Sequence, residues 1–226
     1  MTQATLMKAK VMIAVAILVA TQVAAQTGDL PPSGPMAGFA KYEFNKWLFR
    51  ACPPEATTRR TADALPFIDA TPGGTLFRAI QQRWQQSLDP LRGVYVEFSG
   101  YTETGRVTVT ELHRALGWVE SCAKRPTNIG TAVVLWAAGH EPSWVFSYDG
   151  KTGRLRVLGE EPLDIAPVAL QRGDGVLAIA AQSDSTRIRI EFSTELCSDT
   201  MSEAAFGRSV VVATRNRLYN GCGFVR

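Results

Sequence analysis

The sequence predicts a mostly β protein made of two small barrel or sandwich units, the first OB-like with one helix and the second an antiparallel barrel. Three observations predict it. Apolar residues recur with a two-residue period in Val94–Phe98, Trp144–Tyr148 and Ile188–Phe192, the pattern of strands with one buried face. Turn residues such as Asp149-Gly150 and Asp184-Ser185 punctuate these runs, as hairpins require. A helical period of convincing length occurs once, in Thr75–Leu88. Among 226 residues, 46% are hydrophobic and 20% charged, and the formal charge is only +3. That composition is globular, and the charge is too small for a dedicated nucleic-acid binder.

The chain opens with a segment, 1–25, that reads as a cleaved export signal. Lys8 and Lys10 supply its positive end, Val11–Ala20 its apolar core, and Val23 and Ala25 the small residues before a cut at Gln26. The apolar run is too short to span a bilayer as a helix, so no transmembrane anchor is expected after cleavage. No cysteine lies near the cut, so a lipoprotein signal is absent. Loss of the two lysines leaves a nearly neutral mature chain, expected in the periplasm or secreted. Residues 26–38, rich in Pro and Gly, read as a disordered leader.

The first unit is expected over 39–123. Phe39–Ala51 carries Tyr42, Phe44, Trp47 and Phe49 and suggests strands around a bend. In Thr75–Leu88, Leu76, Phe77, Ile80, Trp84 and Leu88 share one face, with Arg78, Gln81, Gln82, Arg83 and Gln85 directed outward, and Asp89-Pro90 stops the helix. Strands at Val94–Phe98 and Arg106–Thr110 complete the unit. Lys124–Gly130 reads as a hinge. The second unit, 131–226, is a series of strands: Thr131–Ala137, Trp144–Tyr148, a strand through Leu155 and Val157, Gly175–Ala181, Ile188–Phe192, Val210–Ala213 and Arg217–Cys222. Arg154/Arg156 and Arg187/Arg189 would form one basic stripe if the barrel aligned them, although a solvated sheet face is the plainer reading.

Four cysteines, Cys52, Cys122, Cys197 and Cys222, suit two disulfides in an oxidising compartment. Three connectivities are open; Cys52–Cys122 with Cys197–Cys222 is preferred because each pair then falls inside one unit. There is no C-x-x-C and no zinc-ligand spacing, so neither a metal nor a cofactor is expected.

The catalytic scan is sparse. No nucleophile elbow, metalloprotease helix, phosphate loop or dinucleotide fingerprint is present. His140-Glu141 would be half of a metal site or an acid–base pair, but it lies in a turn between apolar strands. His113 follows a strand and reads as structural. Asp199 and Ser202, in the stretch Cys197–Ser202, read as turn-fixing residues beside a disulfide; a nucleophilic Ser202 would need a base that the sequence does not nominate. Trp144 reads as an aromatic plug, with a ligand platform as the alternative.

Two passages carry a resemblance. Gly139–Trp144 resembles a G-x-E-P-x-W stretch, and Cys197–Ser202 with Gly221–Gly223 resembles a C-x-D-x-M-S … G-C ending, of an uncharacterised family of bacterial envelope proteins, many of them lipoproteins. The Val94–Gly100 segment is similar to the OB-like domains of such proteins and of the NlpE-type lipoproteins. The family also bears a distant likeness to META/HslJ-type stress proteins. The resemblance implies a non-enzymatic envelope protein. Glu141, Trp144, Asp199, Met201 and Ser202 are then motif residues of unknown role, and the missing lipoprotein cysteine departs from the family pattern.

The expected function is therefore non-catalytic binding of an envelope protein or small envelope component, in a cleft between the units, with a stress-response role implied by the resemblance. The alternatives are an inhibitor or metal/stress sensor of an envelope enzyme, and a hydrolase using Asp199/Ser202 or His140/Glu141.

Overall fold

A computed structural model describes residues 34–53, 63–86, 91, 93–124, 132–165, 169–182 and 187–226. The expected signal, residues 26–33 of the expected leader, the Asp89-Pro90 stop, the hinge beyond Lys124 and the Asp184-Ser185 turn lie outside the described residues. Residues 34–38, expected to belong to the disordered leader, instead begin the first strand, Gly34–Glu43, because their backbone pairs antiparallel with 96–100.

The first sheet is built from β1 (Gly34–Glu43), β2 (Lys46–Ala51), β3 (Leu65–Asp69), β4 (Val94–Glu103) and β5 (Arg106–Leu116), with α1 (Thr75–Gln86) between β3 and β4. β1 pairs antiparallel with β2 and β4, β2 with β3, and β4 with β5, while β3 and β5 run parallel. These five strands close on themselves in the order of an OB barrel. Leu76, Ala79 and Ile80 of α1 are fully buried and pack with Phe49, Phe67, Phe98 and Val107 in the barrel core. Asp69 and Thr71 hold the start of the helix: the Asp69 carboxylate accepts from the amides of Thr71 and Phe77, and the Thr71 hydroxyl accepts from the amide of Leu76. Arg83 departs from the expected outward face, with only 5% of its surface exposed.

The second sheet comprises β6 (Leu135–His140), β7 (Ser143–Tyr148), β8 (Gly153–Val157), β9 (Leu163–Ile165), β10 (Ala169–Gly173), β11 (Val176–Gln182) and β12 (Arg187–Ser193). After β13 (Cys197–Asp199) and β14 (Ala204–Phe206), the chain completes it with β15 (Arg208–Ala213) and β16 (Leu218–Val225). Its nine strands are antiparallel in the order β10-β11-β12-β15-β16-β6-β7-β8-β9. The two edge strands are consecutive in the chain, so connectivity alone keeps Ile165 and Ala169 within about 14 Å. The sheet therefore curls into a half-barrel around Trp144, Phe146, Ile179, Ile190 and Phe192. Arg154, Arg156, Arg187 and Arg189 are exposed, as the plainer reading of solvated sheet faces expects, and the alternative of one basic stripe does not form. β15, β16, β6 and β7 separate β8 from β12, and Arg154 and Arg189 are spent on Asp164 and Glu191.

The segment 197–206 departs from the expected division of the chain. β13 and β14 pair onto β5 and extend the first sheet to seven strands. The Cys197–Cys222 disulfide therefore ties the first sheet to β16 of the second, whereas Cys52–Cys122 closes the first barrel on itself. The preferred pairing forms, but the reason given for the Cys197 bridge does not hold. The expected inter-unit cleft is filled by apolar side chains: Tyr95, Leu116, Val119, Phe206 and Phe224 form a core of their own. Trp136 lies stacked against Phe206 and Phe224, with ring centroids 5.5 and 5.8 Å away. Among the described residues, both sheets belong to one compact unit.

Candidate functional site

The two motif passages meet at one corner of the molecule, where β6, β7, β13 and β16 converge. Trp144 on β7 is 1% exposed and donates its indole N–H to the Asn220 carbonyl at 3.3 Å. Glycine is required on both sides of the ring. A Cβ at Gly139 would lie 2.3 Å from the indole nitrogen, and one at Gly221 would lie 2.1 Å from the Ala138 carbonyl oxygen and 2.7 Å from the ring. The glycines of both motifs thus make room for one packed tryptophan, which is a plug and not an exposed platform.

Asp199 organises the turn after β13. Its Oδ1 accepts from the amides of Met201 (2.9 Å) and Ser202 (3.4 Å), and its Oδ2 accepts the Ser202 hydroxyl at 2.6 Å. Across the corner, His140 Nε2 at the end of β6 lies 3.0 Å from the same Oδ2. Burial pushes the Asp199 carboxyl up, but the hydrogen bonds from Ser202, His140 and Met201 outweigh it and hold it below the usual carboxylate range. The result fixes a turn and leaves Met201 at its tip 74% exposed.

The same wiring decides the chemistry. An activated serine gives its proton to a histidine that a carboxylate orients. Here Ser202 and His140 both address the carboxylate, so Ser202 donates to the anion and not to the imidazole. Glu141 is exposed beside His140, whose imidazole is directed to Asp199. Among the described residues, no group of three or more His, Cys, Asp or Glu side chains is placed to hold a metal ion.

His113 is buried in the junction between the sheets. Its Nε2 lies 2.9 Å from Ser99 Oγ, and its ring faces Phe224 at 4.9 Å. Burial, with the charges of Arg226 and Arg114, pushes its pKa down from 6.5 to about 3, so it is neutral at physiological pH. Beside it, Arg114 makes a bidentate pair with Glu97 (2.7 and 2.8 Å), and Tyr95 donates to that carboxylate at 2.9 Å. Arg208 forks onto Glu111 at 2.7 and 2.6 Å. Of these contacts, Arg208 on Glu111 and the His113 ring on Phe224 join the two sheets, whereas Ser99–His113 and Tyr95–Glu97–Arg114 tie β4 to β5 within the first.

A groove lies elsewhere, over the outer face of β1 and β2. Phe39, Lys41 and Glu43 from β1, Leu48 and Arg50 from β2, and Ala64 and Glu120 line about 210 Å³ of space. Lys41 and Glu43 are paired at 3.2 Å along one wall. The alternation of Phe39, Lys41 and Glu43 with Gly38, Ala40 and Tyr42 was the signal in the sequence that this face points away from the core. Reading the segment only as aromatic-rich misses it.

No family model, curated protein or solved structure matches the chain. What defines the protein is its architecture: an OB barrel and a curled antiparallel sheet, bridged by a disulfide between β13 and β16.

Proposed function

We propose that this chain is a non-catalytic exported protein of the cell envelope that binds an envelope protein or a small envelope component. One observation carries the reading: the groove on the outer face of the first barrel. Its apolar floor, Phe39 and Leu48, is framed by two basic and two acidic side chains, Lys41 and Arg50 against Glu43 and Glu120. Balanced charge over an apolar floor suits an extended polypeptide segment better than a polyanion such as nucleic acid. OB barrels bind ligands across the face of their second and third strands, which this groove adjoins through β2; the likeness is a fold-level analogy. The two disulfides point to an oxidising compartment. Among the described residues no helix is long and apolar enough to cross a membrane. The wiring of Asp199 into a turn supports a non-catalytic role.

The test is site-specific photo-crosslinking in the producing cells, with the reactive residue at Arg50 in the groove and, separately, at Arg189 on the second sheet. A discrete adduct from Arg50 that is absent from Arg189 is the expected result. No adduct at Arg50, or the same adducts from both positions, would overturn the assignment of the groove. Turnover of an envelope substrate that disappears in Ser202→Ala would overturn the non-catalytic reading.

A further inference from the structure

The apex of the β1–β2 hairpin combines backbone strain with an exposed aromatic side chain. Glu43 and Lys46 face each other across it, and the residues between them, Phe44 and Asn45, have φ of 52° and 60°. Two successive positive φ values define the tight turn that favours Asn, Asp and Gly. An aromatic residue takes this conformation against a steric cost. Packing of Phe44 does not offset that cost: it is 87% exposed, the highest value of any large apolar side chain among the described residues.

Other groups at this end of the barrel share its character. Tyr42 is 49% exposed and meets Trp47 edge-on at 5.3 Å, and Trp47 meets Trp84 of α1 at 6.1 Å. Leu91, 82% exposed, lies two residues before Gly93. A Cβ on Gly93 would come within 2.4 Å of the Ala40 carbonyl oxygen and 2.5 Å of Lys41 Cγ, so the backbone two residues after Leu91 runs close against the hairpin stem. Lys41 neutralises Glu43, so the exposed Lys46 leaves the apex with a net positive charge.

We infer that this apex is a reversible docking point for an anionic lipid surface. Phe44 enters the boundary between headgroups and acyl chains, Tyr42 sits at headgroup level, and Lys46 meets the lipid phosphates. Exposed apolar patches mark protein or membrane contacts, and the choice here follows from shape and composition. The apex is a convex tip, which a fluid bilayer accepts without a complementary socket. Aromatic rings with an amphipathic edge and a lysine beside them are what the membrane interface selects. One inserted aromatic group gives weak, reversible attachment, since even a single acyl chain binds only marginally. The inference rests on the hairpin apex and stands or falls separately from the groove.

The experiment uses the oxidised, processed protein purified from the envelope fraction. Its co-sedimentation is measured with vesicles of phosphatidylglycerol mixed with phosphatidylcholine, and with vesicles of phosphatidylcholine alone. The protein is expected to partition onto the anionic vesicles more strongly than onto the neutral ones. Phe44→Asn should lower that partitioning about 10-fold or more while raising Tm by about 1–3 °C, because Asn relaxes the turn. Lys46→Gln should lower binding to anionic vesicles about 5-fold and leave neutral vesicles unaffected. A merely structural Phe44 would show the opposite pattern, a lower Tm with unchanged partitioning. Equal partitioning of wild type and Phe44→Asn, or no binding of the wild type to either vesicle, overturns the inference; in the latter case a Phe44-dependent cross-link would assign the apex to a protein partner.

Discussion

On the side of the first barrel that meets the second sheet, Glu97, Ser99, Glu111 and His113 each have a hydrogen-bond partner and are largely buried. On the side of the β1–β2 hairpin, Phe44 stands in solvent on a strained turn, and Tyr42 beside it on β1 is half-exposed. Both sides are built on the same closed barrel, and both place unusual residues on strands. The difference teaches where constraint has gone. Polar groups at the junction are satisfied almost atom for atom, as burial demands. Apolar groups at the hairpin are exposed where a small polar residue would fold more easily. A polar interior of this kind joins two sheets; an apolar exterior of this kind faces something outside the molecule.

The comparison is broken most severely at the disulfide that spans the junction. Cys197→Ala with Cys222→Ala is expected to cost about 2–5 kcal/mol, read as a fall of several degrees in Tm. Cys52→Ala with Cys122→Ala removes a bridge internal to one barrel, so it should leave the β13–β14 turn intact. Hydrogen exchange of the Met201 and Ser202 amides should rise only in the first variant.

Acid sharpens the same contrast. The unfolded chain protonates His113 near 6.5, but the folded chain resists until about 3. The unfolded state therefore binds the extra proton in that window. The stability due to a neutral His113 is complete above about pH 6.5 and is lost as pH falls toward about 3, by about 1.4 kcal/mol per pH unit. Urea unfolding at pH 7 and pH 5 should show this slope, and His113→Gln should flatten it.

Asp199→Ala removes the acceptor of two backbone amides, a hydroxyl and an imidazole. A loss of about 1–2 kcal/mol is expected, since the site is partly exposed. His140→Ala should cost less, because the turn's own three bonds remain. If His140→Ala proved the costlier change, the turn would be held by the corner and not by Asp199. The smallest effect lies at the opposite side: Phe44→Asn should stabilise the fold by about 0.5–1 kcal/mol in thermal unfolding, since the strain is local and no native packing is lost.

Much of the fold could be read from the chain. The alternation in Trp144–Tyr148 and Ile188–Phe192 located strands whose inward residues form the second core. The spacing of Leu76 and Ile80 located the helix that fills the first. The alternation of Val94, Val96 and Phe98 with Tyr95 and Glu97 was legible too, but its meaning was not. Both faces of β4 are buried, because the second sheet covers the side on which Glu97 lies. A charged residue on the polar face of a strand looks the same in sequence whether water or an arginine waits opposite it.

The sequence by itself determined the longer alternating strands, the helix, the cysteines available for bridging and the apolar content of the two cores, because these depend on local period and composition; the short strands β3, β9, β10, β13 and β14 carry too few alternating residues to show a period. Only the tertiary structure decided that β13 and β14 return to the first barrel, that Asp199 meets His140 across 59 positions of chain, and that the inter-sheet space is filled. Such contacts depend on how sheets close and which edges remain to be paired. No residue signals them until its neighbours from distant parts of the chain are in place.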